Sequence, residues 1–271
     1  MTSRFDRERV RHEPRRRRLR VARATALPSG LRRITLTGEE LAGFAAAGSA
    51  DHVKLFFPDP ATGRLDMPAP GEPGRPPERG NAISRDYTPL AFRAEGPDGP
   101  ELDIDFVLHG DEGPASAWAA SAGPGDEIGV AGPRGSVLAP TGIDDAVLVA
   151  DETALPAVRR WLDALAVPVT VLLTLADEAA RGYLDGAPDH ALHSFAGDDR
   201  QRELEAAVRA LPIGEGTFCF LAGEAGSLVP IRRHLRHERG LPKEQVDAHG
   251  YWKRGVVALD HHAPIDPGDP D

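Results

Sequence analysis

The chain has 271 residues, 41% hydrophobic and 27% charged, with a formal net charge of −10. That much apolar material supports two cores of ordinary size, so two domains are expected. The single cysteine, Cys219, excludes an intramolecular disulfide framework and any all-cysteine metal or iron-sulfur site; within the apolar run 217–221 it reads as a small core residue.

The chain is charged from Arg4 onward with no apolar leader, and its longest apolar run, 167–176, is too short to span a bilayer. A soluble, cytoplasmic protein without membrane insertion is expected. Arginines crowd residues 1–18, and such a basic arm can bind nucleic acid. Aromatic interleaving is absent and the remaining chain is acidic. The expectation is a flexible, solvated arm and no nucleic-acid partner.

Residues 19–25 and 31–37 alternate like antiparallel strands around the turn Leu27-Pro28-Ser29-Gly30, and Val53, Leu55 and Phe57 continue the period. Residues 58–81, crowded with Pro and Gly, predict a long surface loop. Residues 102–109 place Leu102, Ile104, Phe106 and Leu108 on one face and Asp103, Asp105, Val107 and His109 on the other, the period of a half-buried strand. With a further strand at 127–130, residues 19–139 predict an antiparallel Greek-key β-barrel domain.

Past Pro140 the pattern changes. Residues 146–150, 167–175 and 218–222 are continuous apolar runs, as in parallel strands buried on both faces. Helical stretches separate or follow them at 154–166, 200–211 and 227–239, the last with Leu228, Ile231 and Leu235 at helical spacing. This predicts a parallel-sheet α/β nucleotide-binding domain over 140–260, with the boundary near 138–143. The Pro/Asp-rich end, 261–271, predicts a disordered tail.

The stretch Arg85-Asp86-Tyr87-Thr88 carries the most specific chemistry. Arg85 offers a guanidinium fork for a pyrophosphate, Tyr87 a flat face and hydroxyl for an isoalloxazine ring, and Thr88 a short donor. After 102–109, Gly113-Pro114-Ala115-Ser116 lets backbone N–H groups and a hydroxyl approach phosphate oxygens. From spacing alone, ordinary barrel-edge residues explain the pattern equally well. At the end of the first apolar run, Asp151-Glu152-Thr153-Ala154 opens a helix where a dinucleotide would sit, yet G-x-G-x-x-G is missing and two carboxylates repel phosphate. Thr153 capping its own helix is the simpler reading. Paired histidines at His234/His237 and His261/His262 lack a second cluster or a cysteine partner, so no metal site is expected.

The blocks Asp51-His52-Val53-Lys54-Leu55-Phe56-Phe57, 84–90, 109–119, Pro124-Gly125-Asp126, Gly132-Pro133-Arg134-Gly135-Ser136, 151–156, Ala222-Gly223-Glu224 and Gly250-Tyr251-Trp252 follow one another across roughly residues 20–254. In content and order they resemble the siderophore-interacting protein family, flavin-dependent ferric-siderophore reductases of the ferredoxin-reductase-like superfamily.

The resemblance implies FAD held by Arg85, Asp86, Tyr87, Thr88, Asp105, Phe106, Val107, His109, Gly113, Pro114, Ala115 and Ser116. It implies NADH or NADPH as electron donor at Asp151, Glu152, Thr153, Ala154, Gly223 and Glu224. A ferric siderophore would meet Lys54, one of three lysines beside 29 arginines, and Arg134. Where some relatives carry a further arginine shortly before Tyr-Trp, this chain has Asp247, with Lys253 and Arg254 as replacements. No catalytic nucleophile is implied. The expected enzyme is a monomeric oxidoreductase passing electrons from NAD(P)H through FAD to chelated iron(III), with reduced ferredoxin as an alternative donor. A general flavin or ferredoxin-type reductase and a non-enzymatic siderophore-binding protein are the competing readings.

Overall fold

In the first half, apolar residues alternate with arginines and carboxylates, so each strand can bury one side and keep charges on the other. The computed structural model describes residues 3–68, 82–109, 113–260 and 263–269 and divides into two units. One comprises Val10–Ala47 and Asp51–Ser136; the other comprises Met1–Arg9, Gly48–Ala50 and Val137–Asp271.

The elements of the first half are β1 (Arg9–Arg11), β2 (Arg16–Ala26), β3 (Leu31–Thr37), β4 (Val53–Phe57), β5 (Ile83–Tyr87), β6 (Pro89–Gly96), β7 (Gly99–Val107), α1 (Pro114–Ser121), β8 (Glu127–Ala131) and β9 (Gly135–Val137). Seven of these strands form an antiparallel sheet in the order β5-β4-β8-β2-β3-β7-β6, curled as a half-barrel around Leu19, Ile34, Leu55, Phe57, Ile104 and Phe106.

The opposite face of β7 is a buried ionic layer. Glu101 lies between Arg23 (2.5 and 2.8 Å) and Arg93 (2.9 Å). Asp103 accepts from Arg93 (2.7 and 2.9 Å) and from the Thr35 hydroxyl (2.6 Å). Hydrogen bonds from Arg23, with Arg93 adding to them against burial, hold the Glu101 carboxyl at about 2, below its ordinary 4.5. At Asp103 burial pushes the other way, but Arg93 and Thr35 outweigh it and its pKa is also lowered. A depressed folded-state pKa gives stability above the unfolded value that disappears as pH falls through the folded one. The antiparallel unit should therefore lose stability between pH 4.5 and about 2. Thermal unfolding across that range checks it: Glu101→Gln should flatten this limb, and an equally steep limb in the variant would exclude Glu101 as its source.

The second half contains β10 (Asp145–Asp151), α2 (Leu155–Ala164), β11 (Val169–Thr174), β12 (Ala191–Phe195), α3 (Arg200–Ala210), β13 (Thr217–Glu224), α4 (Ala225–Arg233) and β14 (Val246–Trp252). Its strands are all parallel, in the order β12-β11-β10-β13-β14. Trp161 of α2 is fully buried, its ring centroid 5.3 Å from those of Phe218 and of Phe220. Cys219 faces the other side, where burial pushes its thiol up to about 12. The order reverses between β10 and β13, and ligands of such sheets bind beyond the carboxyl ends of the strands at that point.

Several expectations need correction. The arm is no free tail: β1 and β2 begin within it, Arg17 is buried, and Arg7 is ion-paired with Asp247 at 2.5 Å. Strands β5, β6, β12 and β14 stand where none was expected, because partly buried edge strands lack a continuous apolar run. The helix expected over 227–239 gives way to a π-helical turn at His234–Glu238. At the chain end, Asp266 is buried and accepts from Arg233 (2.6 Å), while Asp269 accepts from Arg232 (2.7 Å) and meets His237 (2.6 Å), so residues 263–269 are held rather than disordered. Of the expected loop 58–81, residues 69–81 lie outside the described residues, as do His261 and His262.

Candidate functional site

In the antiparallel unit, β5 and the β7–α1 connection bring the expected flavin residues together. Register with β4 pairs Leu55 with Arg85 and Val53 with Tyr87, which aligns Arg85 and Tyr87 with the inner face of the sheet. The Tyr87 ring lies 4.4 Å from Phe106, and Phe106 lies 5.9 Å from Trp118, centroid to centroid. Burial raises the Tyr87 phenol, and the charge of Arg85 only partly offsets it, so the Tyr87 hydroxyl keeps its proton. Arg85 donates to the Ser84 carbonyl at 2.7 Å and has no carboxylate partner among the described residues.

The backbone N–H of His109 donates to the Ser116 hydroxyl at 3.2 Å, tying the end of the β7 segment to the first turn of α1. Gly113 caps that helix in extended conformation without a side-chain cap bond. A Cβ there would stand 3.3 Å from the His109 ring. The absent side chain keeps clear the space beside the helix N-terminus, whose first N–H groups come from Ala115 and Ser116 because Pro114 has none, and such N–H groups suit phosphate oxygens. Phe106 is a core residue beneath Tyr87, and the Asp105 side chain is on the other face, held by Arg33 at 2.8 Å through both oxygens.

The residues expected to meet the substrate divide by unit. Lys54 is ion-paired through both oxygens of Asp86, at 2.7 and 2.9 Å, across the β4–β5 register. Arg134 is exposed and enters no ion pair among the described residues. In the α/β unit, Arg254 uses its backbone N–H on Glu224 (3.1 Å), and Lys253 bridges back to Val256. Asp247 meets Arg7 (2.5 Å) and His249 (3.0 Å); burial opposes its charge, but His249 and Arg7 hold its carboxyl well below the ordinary range.

At the reversal point of the parallel sheet, the expected nucleotide residues bind one another. The buried Asp151 carboxylate accepts Thr153 N–H (2.9 Å) and Oγ1–H (2.5 Å) on one oxygen. Its other oxygen accepts Glu224 N–H (2.8 Å) and Trp252 Nε1–H (2.8 Å). Burial raises its pKa against these four donors. The Glu224 carboxylate caps α4 through Ser227 N–H at 2.6 Å. Gly223, φ +143°, is packed against this carboxylate: a Cβ there would lie 2.6 Å from the Asp151 carboxyl carbon, so the absence of a side chain is what admits Asp151.

A model of the siderophore-interacting FAD-binding domain matches residues 20–137, and one of the siderophore-interacting protein matches residues 143–255. The NADPH-dependent ferric-chelate reductase of Escherichia coli (strain K12) is 36% identical over 250 residues, covering 90% of this chain and 96% of that one. This chain belongs to the siderophore-interacting protein family. Ferric vibriobactin reductase of Vibrio cholerae is 32% identical over 252 residues, covering 90% and 92%. A siderophore utilization protein from T. fusca, known as a crystal structure, is 37% identical with a TM-score of 0.85, covering 95% of this chain and all of that one.

One residue of this siderophore-interacting protein escapes a reading of side-chain types along the chain. Trp252 ends β14 with its indole N–H fixed by Asp151 and 39% of its surface exposed, so a flat aromatic face stands at the rim of the reversal-point crevice. The available signal was its place in the Gly250-Tyr251-Trp252 block of a chain with only three tryptophans. Among the described residues, no cluster of three or more His, Cys, Asp or Glu is arranged to hold a metal ion, and no helix is long and apolar enough to cross a membrane.

Proposed function

We propose that this protein is a ferric-siderophore reductase that takes electrons from NADH or NADPH and delivers them to siderophore-bound iron(III), releasing iron(II). One observation carries the reading: in a single unit, the guanidinium of Arg85, which has no carboxylate partner among the described residues, stands beside Tyr87 on an aromatic platform, within a FAD-binding family domain. FAD, when bound, supplies the change from a hydride to single electrons that an iron(III) acceptor requires. Arg85 and the first N–H groups of α1 bind the pyrophosphate, and Tyr87 and Thr88 orient the ring. Oxygen-rich chelators prefer the hard ferric ion, so reduction weakens the complex.

In the α/β unit the carboxylates near the reversal point disfavour phosphate, so that turn suits the nicotinamide end of the donor, with Trp252 as a stacking face. Ala154 and Glu152 contribute backbone at the start of α2, while Asp151, Gly223 and Glu224 shape the crevice. The same reading gives a cytoplasmic monomer, with reduced ferredoxin as the alternative donor. The test is an absorption spectrum of the purified protein, followed by anaerobic reduction with NADH, NADPH or reduced ferredoxin and trapping of iron(II) from ferric siderophores. A colourless protein that only binds the siderophore overturns the proposal.

The Lys54–Asp86 pair favours a second reading, a general flavin reductase, because it neutralises a cation expected to meet the substrate. The two residues should have opposite effects if they face an anionic iron complex. Lys54→Ala should slow its reduction roughly two- to fivefold, matching the ~0.5–1 kcal/mol of a half-exposed charge. Asp86→Asn should accelerate it, and flavin reduction by the nicotinamide should stay near normal in both. Parallel changes of both half-reactions in either variant would assign the pair to the flavin.

A further inference from the structure

A cavity of about 230 Å³ opens in the antiparallel unit where β2 begins and β8 ends. Arg11, Arg15 and Arg17 contribute to its wall together with His12, Glu13 and Gly132. In the sheet, β8 and β4 lie between β2 and β5, so this cavity is separate from the Arg85–Tyr87 strand.

Arg17 is only 4% exposed. Its Nε donates to the Glu40 carbonyl and its Nη1 to the Gly132 carbonyl, both at 3.0 Å, and its guanidinium carbon lies 5.1 Å from the centre of the Phe44 ring. These partners are neutral. Among the described residues, Arg17 forms no ion pair and its Nη2 has no acceptor. A buried charge without a counter-charge is costly. Burial and the neighbouring Arg15 both lower the Arg17 pKa, with Glu40 opposing them as the smallest of the three influences.

Nearby carboxylates do not cancel this charge. Glu13 is engaged by Arg15 at 2.8 and 3.0 Å, and the Glu40 carboxylate accepts the backbone N–H of Arg18 at 2.7 Å. Arg11 is exposed and has no ion pair among the described residues. Three guanidinium groups thus share one small cavity with a single carboxylate in its wall. Drug-sized ligands need roughly 300 Å³ or more, so a small anion fits the volume. One fork already satisfies both oxygens of a carboxylate, whereas several forks match an anion with oxygens on several sides.

We propose that this cavity binds a phosphate-type oxyanion, with Arg17 as its buried anchor and Arg11 and Arg15 closing over it. The site uses none of the side chains assigned to the flavin, the dinucleotide or the iron complex.

The experiment is calorimetric titration of the FAD-loaded protein, in which the flavin pyrophosphate is already accommodated, at constant ionic strength set with chloride. Inorganic phosphate and glycerol 3-phosphate distinguish a free anion from a phosphate carried on a larger molecule, and acetate is the control. Phosphate in at least one of the two forms should bind in the millimolar range or tighter, and acetate should not. The double variant Arg11→Ala with Arg15→Ala, both exposed positions, should weaken binding by about tenfold or more while leaving the flavin spectrum and reductase activity intact. Phosphate should also raise the unfolding temperature of wild type but not of the variant. No binding up to about 10 mM, equal binding of acetate, or unchanged affinity in the double variant would overturn the proposal.

Discussion

Replacing Arg85 with alanine is expected to yield protein that loses its yellow colour on gel filtration. The guanidinium has no carboxylate partner among the described residues, and its known bond is to the adjacent Ser84 carbonyl. Its charge is therefore available for an anion at little cost to the fold. A charge-assisted, two-pronged contact to pyrophosphate contributes about 1.5–3 kcal/mol, which corresponds to roughly 10- to 150-fold in FAD affinity. Arg85→Lys should fall between wild type and the alanine variant, because it keeps the charge and loses the fork. Flavin-to-protein ratio and FAD titration of the stripped protein are the measurements. Unchanged affinity in Arg85→Ala would remove this residue from the site.

Gly223→Ala is expected to damage the α/β unit more than its single methyl group suggests. The backbone there has φ +143°, and the new Cβ would stand 2.6 Å from both the Asp151 carboxyl carbon and Oδ2. Backbone strain and overpacking each cost about 1–3 kcal/mol, about 2–6 kcal/mol together, a large share of the ~5–15 kcal/mol that stabilises a domain. The displaced carboxylate would also release Glu224 N–H and Trp252 Nε1–H, which it holds at 2.8 Å each. Flavin content should survive, because the proposed flavin residues belong to the antiparallel unit. The unfolding midpoint should fall, and reduction of the bound flavin by NAD(P)H should slow. An unaltered midpoint would show that Asp151 can move aside without cost.

Much of this architecture was legible in hydrophobic period alone. Residues 102–109 alternate because β7 packs apolar side chains into the core on one face and arginine-paired carboxylates on the other, and 146–150 and 218–222 do not because β10 and β13 bury apolar side chains on both. The same rule explains the strands that period missed. In β12 and β14, at the edges of the parallel sheet, the apolar run is interrupted by polar residues such as His193, Asp247 and His249. Family blocks located the candidate site, but side-chain type did not reveal direction or partner. Asp105 falls inside the flavin segment, yet its carboxylate turns to Arg33. Lys54 reads as a free cation until β5 sets Asp86 against it.

The sequence by itself determined two domains, the period of their principal strands, and the order of residue types capable of serving a flavin and a dinucleotide. Those properties are local: they depend on neighbours a few residues apart and on the face each side chain must bury. Tertiary structure decided which charges remain available. Arg7 meets Asp247 across 240 positions, Trp252 meets Asp151 across 101, and Arg17 is buried against Glu40 and Gly132 carbonyls. Ion pairing and desolvation depend on distance in space, so the charge that each of these groups presents to a ligand exists only once the sheets have formed.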